Sequence, residues 1–518
     1  MVELQYFEVG IVRCIRGCIV IVTGFKNCIN GQLIKFGYGT MGMIVGFTPE
    51  EAHVLIIKES ERIKTGDQAI ATLEPFLTPV GENFVGRIVN SLGEPMDSLG
   101  PIESSKMYPI FIEAPSILSR AQLCKTLETG IKVIDGMIPV GLGQRELILG
   151  DKMTGKTTIV TDTILNQKHT GVICIYVAIG KARSALARVV QLFQDHDCFK
   201  YSIIVSATAS SLPGQQYLAP YVACSLAEYF MHQGKDVFVG FDDFTKHAWC
   251  YREISLLLGR APGRDSYPGD IFYLHSKMIE RAAFMDKAHG SGSITFLPIV
   301  EILEGDLTGF VPSNLVSMTD GQLYLSTTMF GEGQRPAVDL GLSVSRVGTK
   351  VQWPAIKKLC APLRLEYLQY REILRISKLK TTGQSEETMQ KMKSGGILTE
   401  LLRQDKDAPV SEEAQVMIFY AYNKKMLHDL TMPEINQFQA NIFEFAQKKD
   451  PQLLVTLREK KSLDEAIERG LTGVLDGYFK ELKANRPPEE AAGKPKDEVA
   501  SDVLDKATNK RPQTAAAK

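Results

Sequence analysis

Eight residues, Gly150-Asp151-Lys152-Met153-Thr154-Gly155-Lys156-Thr157, constrain this chain more than any other stretch of it. They fit the pattern G-x4-G-K-[ST]. A phosphate chain needs several backbone N–H groups converging on it, and glycine lets the main chain curl that closely. The helix that follows presents the positive end of its dipole to the same anion. Lys156 is placed to reach the terminal phosphates, and the Thr157 hydroxyl to sit on Mg²⁺. The context is the one this chemistry requires. The apolar run Glu146-Leu147-Ile148-Leu149 precedes the octapeptide, and Ile159, Val160, Ile164 and Leu165 lie at helical spacing in Thr158 to Gln167. Residues Gly150 to Thr158 are therefore candidate ligands for ATP or ADP with Mg²⁺.

The rest of the chain arranges itself around this motif. With 518 residues it is too long for one compact core. Residues 1–74 contain short apolar or alternating runs, among them Phe7 to Val12, Cys18 to Val22, Gly42 to Gly46 and Ala52 to Ile57. Glycines and Asn30-Gly31 punctuate them, which predicts a small antiparallel β-barrel. Over 75–354, apolar strands alternate with helical stretches, the pattern of an α/β domain with a parallel sheet. Its candidate core strands are Glu146 to Leu149, Val172 to Val177, Ser202 to Val205 and Val237 to Phe241. Residues 355–485 are rich in helix formers and predict an α-helical domain. Residues 486–518 are polar and nearly devoid of large apolar groups, the composition of a disordered tail. The fold class is thus multidomain: barrel, P-loop α/β domain, helical domain.

A net charge of −1 offers no long-range field for nucleic acid, and no apolar run is long enough to cross a bilayer. Nine scattered cysteines without C-x2-C pairing read as thiols in a reducing compartment rather than a zinc site.

Two further features bear on chemistry. The strand Val237 to Phe241 ends in Asp242-Asp243. By itself, such a pair is a turn or a helix cap; downstream of a phosphate loop, Asp242 becomes a candidate partner for the Mg²⁺ water shell. Hydrolysis also needs a group that orients the attacking water, often a carboxylate at the end of a strand beside the loop. The corresponding end, Ala178-Ile179-Gly180-Lys181-Ala182-Arg183-Ser184, holds two cations and no acid. That predicts binding without efficient turnover, unless another strand supplies the acid.

The run GDKMTGKTTIVTDTILNQK is similar to the phosphate loop and helix of the alpha subunits of F-type ATP synthases. So, in order, are YVAIGKARS, IIVSATAS, QQYLAPY, GRAPGRDSYPGDIFYLHSKMIERAA, GFVPSNLVSMTDGQLYL and GLSVSRVG. The resemblance extends from about Phe7 to Leu482. It implies a hetero-hexameric ring of alternating alpha and beta chains around a gamma rotor shaft. Catalytic sites lie mainly on beta, with contacts to delta and a peripheral stalk, and the membrane sector is reached indirectly. It also implies that Ser343 and Arg346, in GLSVSRVG, serve the neighbouring catalytic site, Arg346 as an arginine finger; without the family, Arg346 would read as a solvated side chain. Ala261 to Asp270 matches the loop lining the shaft's bearing.

Several positions depart from the family. Lys152-Met153 replace Arg-Gln in the phosphate loop, Lys181 stands where a glutamine is usual, and of two base-side glutamines Gln404 remains while Lys406 takes the second place. The acidic rotor-facing loop is replaced around Leu379 to Thr382, and the strand at Phe7 arrives without the family's N-terminal helix. Lys181 is expected to add a positive charge beside Lys156 and clasp the terminal phosphate, or else to swing into solvent. Three rival readings stay open: a protein-export ATPase, which would carry an acid where Lys181 stands; a Rho-like translocase, which would show clustered aromatics on its barrel; and a structural paralogue. The early acid Glu3 and the lack of a presequence point to the cytoplasmic face of a bacterial membrane, the matrix face of a mitochondrial inner membrane being the alternative.

Overall fold

The computed structural model describes residues 7–104, 106–377 and 386–484, which belong to two compact units. One is built from Met1–Thr129, Val140–Ser326 and Leu342–Val351; the other from Gly130–Pro139, Thr327–Gly341 and the described part of Gln352–Lys518. The predicted tail and the altered loop at Leu379 to Thr382 lie outside the described residues.

The first unit opens with a closed antiparallel barrel of six strands: β1 (Phe7–Arg16), β2 (Ile19–Thr23), β3 (Gln32–Phe36), β4 (Met41–Phe47), β5 (Glu51–Lys58) and β6 (Gln68–Pro75). They close in the order β1-β2-β5-β4-β3-β6. Val20, Val22, Ile44, Val54 and Ile56 fill its interior. The run Ile19-Val20-Ile21-Val22 is apolar without alternation because β2 is buried on both faces. On the outside, Ile19 and Leu55 pack against Cys250 and Ile254 of the α/β layer. At Gly42 the wall is so tight that a Cβ would lie 2.5 Å from Val54 Cγ1.

Beyond the barrel, β7 (Leu77–Val80) pairs antiparallel with β9 (Lys106–Pro109), and β8 (Ile88–Val89) joins the edge of the large sheet. That sheet also contains β10 (Glu146–Gly150), β11 (Ile173–Lys181), β12 (Ser202–Thr208), β13 (Asp236–Asp242), β14 (Ala283–Phe284), β15 (Ser293–Glu301), β16 (Gly321–Leu325) and β17 (Val344–Ser345). Its order is β17-β16-β10-β15-β13-β11-β12-β8, with β14 paired to β15. The strands from β16 to β8 run parallel; β14 and β17 are antiparallel additions. The four strands expected from sequence are all present, each within a few residues of its expected ends. β15 and β16 were missed, although both are apolar runs flanking the phosphate loop.

One contact sets the position of the loop helix, Lys156–Asn166. Gly240 in β13 lies under Val160, and a Cβ there would fall 2.2 Å from Val160 Cγ1. The missing side chain lets the helix settle on the sheet and holds the first turn beside the end of β13.

The second unit is helical: Pro354–Ser377, Glu386–Leu402, Glu412–Asn423, Met432–Lys449, Pro451–Lys460 and Glu465–Ala484. Residues Glu412 to Tyr422 are buried throughout, making that helix the centre of the unit. Gly395 packs under the Tyr370 ring, where a Cβ would come within 2.1 Å, and Phe438 stacks on Phe479 with ring centres 5.2 Å apart. Among the described residues, no helix is long and apolar enough to cross a membrane.

Candidate nucleotide site

The loop begins where β10 ends, held between β15 and β16: Gly150 pairs with Glu301 on one side and Leu325 on the other. A Cβ on Gly150 would sit 2.7 Å from Thr154 Oγ1 and 2.9 Å from Leu325 Cβ, so the turn needs glycine. Met153 adopts φ +62° and is 91% exposed, while Gly155 at φ +98° caps the helix in the left-handed region. Asp151 Oδ1 accepts the Gly305 N–H at 3.2 Å, and the Thr154 hydroxyl donates to the Asp151 carbonyl at 2.9 Å. These contacts brace the loop from within the chain.

Lys156 is buried and folds back over this loop. Its Nζ donates to the Gly150 carbonyl at 2.8 Å and to the Asp151 carbonyl. Burial lowers its pKa, and the negative charges of Glu301 and Asp243 pull it partly back up. Lys152, exposed, pairs with Glu301 at 3.3 Å. Thr158, next to Thr157 on the helix, is partly exposed.

Thr157 and Asp242 meet as expected. The hydroxyl donates to Asp242 Oδ2 at 2.7 Å, and the buried Tyr176 hydroxyl donates to the same oxygen at 2.8 Å. Burial, reinforced by the charge of Asp242, pushes the Tyr176 phenol well above its usual range, so it stays a donor. The two readings of Asp242-Asp243 divide between the two residues. Asp243 is the helix cap, accepting the Lys246 N–H at 2.8 Å at the start of Phe244–Leu257. Asp242 faces the loop. Burial raises the Asp243 carboxyl.

Lys181 does not swing into solvent; it turns inward to Asp242. β11 carries a register break between Ile179 and Lys181, with Gly180 at φ +61°. This bulge turns the lysine toward the neighbouring strand end. Its Nζ lies 2.5 Å from Asp242 Oδ1, an ion pair rather than an aligned hydrogen bond. Ala178 to Ser184 brings no carboxylate to the site; on the neighbouring strand ends Asp242 is paired with Lys181, and Glu301 is engaged by Lys152.

The donor set suits a small hard cation. A threonine hydroxyl and a carboxylate oxygen, 2.7 Å apart beside a phosphate loop, are the oxygen ligands Mg²⁺ shares with phosphate and water. Thr157 and Asp242 would hold it. Among the described residues, no group of three or more His, Cys, Asp or Glu is placed to hold a metal by itself.

The other site residues expected from sequence fall elsewhere. Ser343 is fully buried next to β17, its Oγ accepting the Tyr324 N–H at 2.9 Å. Arg346, just past β17, is exposed; its N–H donates to Asp320 O at 2.7 Å and one guanidinium nitrogen to Val316 O at 3.3 Å. Gln404 belongs to the helical unit and is buried. Its amide oxygen accepts the Lys132 N–H at 3.1 Å, and its amide nitrogen donates to the Gly130 and Ala408 carbonyls at 2.7 and 2.8 Å. Lys406 is exposed beside Asp407. Ala261 to Arg264 and Gly269 to Asp270 form an exposed turn-rich stretch. Sequence reasoning missed Tyr176 and Glu301. The first carries no signal inside an apolar strand; the second, as the acid ending Ser293 to Glu301, could have been found.

Comparison with known proteins agrees with this geometry. Residues 130–345 match the nucleotide-binding domain of the ATP synthase alpha/beta family, and residues 352–478 match the C-terminal domain of its chains. A protein of Clostridium acetobutylicum named ATP synthase subunit alpha is 43% identical over 478 residues, covering 92% of this chain and 94% of its own length. One of Clostridium botulinum with the same name is 44% identical over 450 residues, covering 87% and 89%. The chain therefore belongs to the ATP synthase alpha/beta family and, within it, to the alpha-subunit line.

Proposed function

We propose that this chain is an alpha subunit of the F1 sector of a rotary, ion-translocating ATP synthase. In this reading it binds Mg-ATP at a regulatory site that does not turn over. It alternates with beta subunits around a gamma shaft, is held by delta and a peripheral stalk, and sits on the cytoplasmic face of a bacterial membrane. The single observation that carries the non-catalytic reading is a complete phosphate loop with no carboxylate at the end of β11, where Lys181 stands. Lys156 binds the terminal phosphates by exchanging its two carbonyl partners for anionic oxygens. The backbone N–H groups of the loop and the helix start orient the chain, and Thr157 with Asp242 places the cation. Bound Mg²⁺ would neutralise phosphate charge. No carboxylate at the end of β11 then positions a water for attack.

Arg346 supports the second half of the reading. It is exposed, tethered to its own chain by one long guanidinium contact, and rooted at the sheet edge through its N–H to Asp320. Such a group can reach a phosphate held by a neighbouring subunit. Buried Ser343 fixes the strand that carries it. Gln404, with its amide spent on backbone, would shape the segment Gly130 to Lys132 rather than grip a base directly.

The test is Mg-ATP binding and hydrolysis by the purified chain. Binding with negligible turnover, lost in Lys156→Ala, is expected. Robust turnover abolished by the same substitution would instead make this a catalytic ring ATPase of the export type.

A further inference from the structure

Asp242 is 1% exposed in its side chain, and a carboxylate so placed needs compensating charge as well as hydrogen bonds. Thr157 and Tyr176 supply two neutral donors, both to Oδ2. The compensating charge comes from Lys181, whose side chain is only 20% exposed and whose Nζ reaches Oδ1 at 2.5 Å. The contact is built in rather than incidental. The Gly180 bulge aims the lysine, and the Lys181 carbonyl is fixed by the Ala209 N–H at 2.9 Å. A hydrated divalent cation at Thr157 would have its water shell at this same carboxylate.

We infer that Lys181 is an internal counter-cation that competes with the divalent metal for Asp242, so that this site binds ATP with little dependence on Mg²⁺. The inference rests on the nucleotide-binding reading above and adds to it. Two effects work together. The Lys181–Asp242 pair is neutral, so the cradle attracts a divalent ion less than a lone buried carboxylate would, and the ammonium repels an ion entering beside it. The phosphates, in turn, find a second fixed positive charge close to Lys156, which replaces part of the neutralisation a metal normally provides. A neutral amide at position 181 would do neither.

Two measurements on the full-length chain test this. The first is the ratio of ATP affinity in saturating Mg²⁺ to that in EDTA, by titration calorimetry, for wild type, Lys181→Gln and Lys181→Arg. The second is Mn²⁺ affinity without nucleotide, by electron paramagnetic resonance, for the same three proteins. Wild type and Lys181→Arg should give ratios within about threefold of unity, while Lys181→Gln should raise the ratio about tenfold, the change expected from removing one partly buried charge interaction. Mn²⁺ should bind Lys181→Gln about tenfold tighter than wild type. Equal Mn²⁺ affinity in wild type and Lys181→Gln overturns the inference, as does an unchanged Mg²⁺/EDTA ratio. Absence of ATP binding by wild type in both conditions would reject the nucleotide reading, while the Mn²⁺ arm still decides the competition between Lys181 and metal.

Discussion

Tyr176 and Asp242 lie on adjacent strands, and the phenol donates to the carboxylate at 2.8 Å in a region from which solvent is excluded. At this depth no water can take the place of the tyrosine hydroxyl. Tyr176→Phe removes one hydrogen bond to a buried charge without changing shape much. It should lower stability by about 1.5–3 kcal/mol, read as a shift in the urea midpoint at constant m-value. An unchanged midpoint would mean that Asp242 leans on Thr157 and Lys181 alone.

Gly240→Ala tests how the loop helix is seated. The new methyl would meet Val160 at 2.2 Å, so the helix must shift off the sheet. Overpacking of this kind costs about 1–3 kcal/mol, and the shift should carry Thr157 away from Asp242. ATP affinity is expected to fall along with stability. Loss of stability with unaltered affinity would separate the seating of the helix from the geometry of the loop.

Arg346→Ala should leave the fold and the chain's own ATP binding unchanged, because the guanidinium is exposed and makes one long contact. In a reconstituted ring it should cut turnover by about 10³–10⁵-fold, the range for an arginine finger. Wild-type turnover would remove that role. Ser343→Ala should act on the same finger indirectly. It removes the hydroxyl that accepts the Tyr324 N–H, costing about 0.5–1.5 kcal/mol of stability, and loosens the strand that carries Arg346, so ring turnover should fall by less than in Arg346→Ala.

Acid should loosen the first unit through two histidines. His247 Nδ1 and His275 Nε2 lie 3.3 Å apart, both fully buried, and His247 Nε2 faces the Tyr217 carbonyl at 3.1 Å. Burial holds His247 down at about 4 and His275 well below its ordinary value, each against 6.5 in an unfolded chain. Between those values the unfolded chain binds protons that the folded one refuses, so stability rises with pH there and is lost as pH falls from 6.5 toward 4. For His247 the full effect is on the order of 3 kcal/mol. Denaturant midpoints measured across that window should fall steadily in wild type and less steeply in His247→Gln. A flat wild-type profile would show that the pair is not buried neutral.

How much of this was legible in the sequence depended on whether the signal was local. The loop from Gly150 to Thr157 and the strands around it were readable because apolar runs, glycines and one lysine follow one another along the chain. The pairing of Thr157 with Asp242 was readable too, since a strand ending in acid is a local pattern. The partner of Lys181 was not. Its direction depends on a one-residue bulge at Gly180 and on which strand lies next to β11, and neither is written in the residues that surround it. Tyr176 was hidden for a similar reason: inside Ile173 to Val177 it reads as one more core residue. For Gln404 the resemblance implied a place beside the base, while its three backbone partners, brought together by the fold, carry no signal in the sequence around it.

The outer faces of β2 and β5 bear on how this chain can be taken apart. Ile19 and Leu55 belong to the barrel by connectivity, yet their side chains sit among Cys250 and Ile254, which lie more than a hundred residues away in sequence. A protease or an engineer cutting after the barrel would expose a greasy seam on both fragments. The six-stranded crown is thus a poor candidate for transplantation between relatives. A chimera that exchanges it should aggregate unless residues 250 and 254 travel with it, so this end of the chain is tied to a distant helix rather than being an independent cassette.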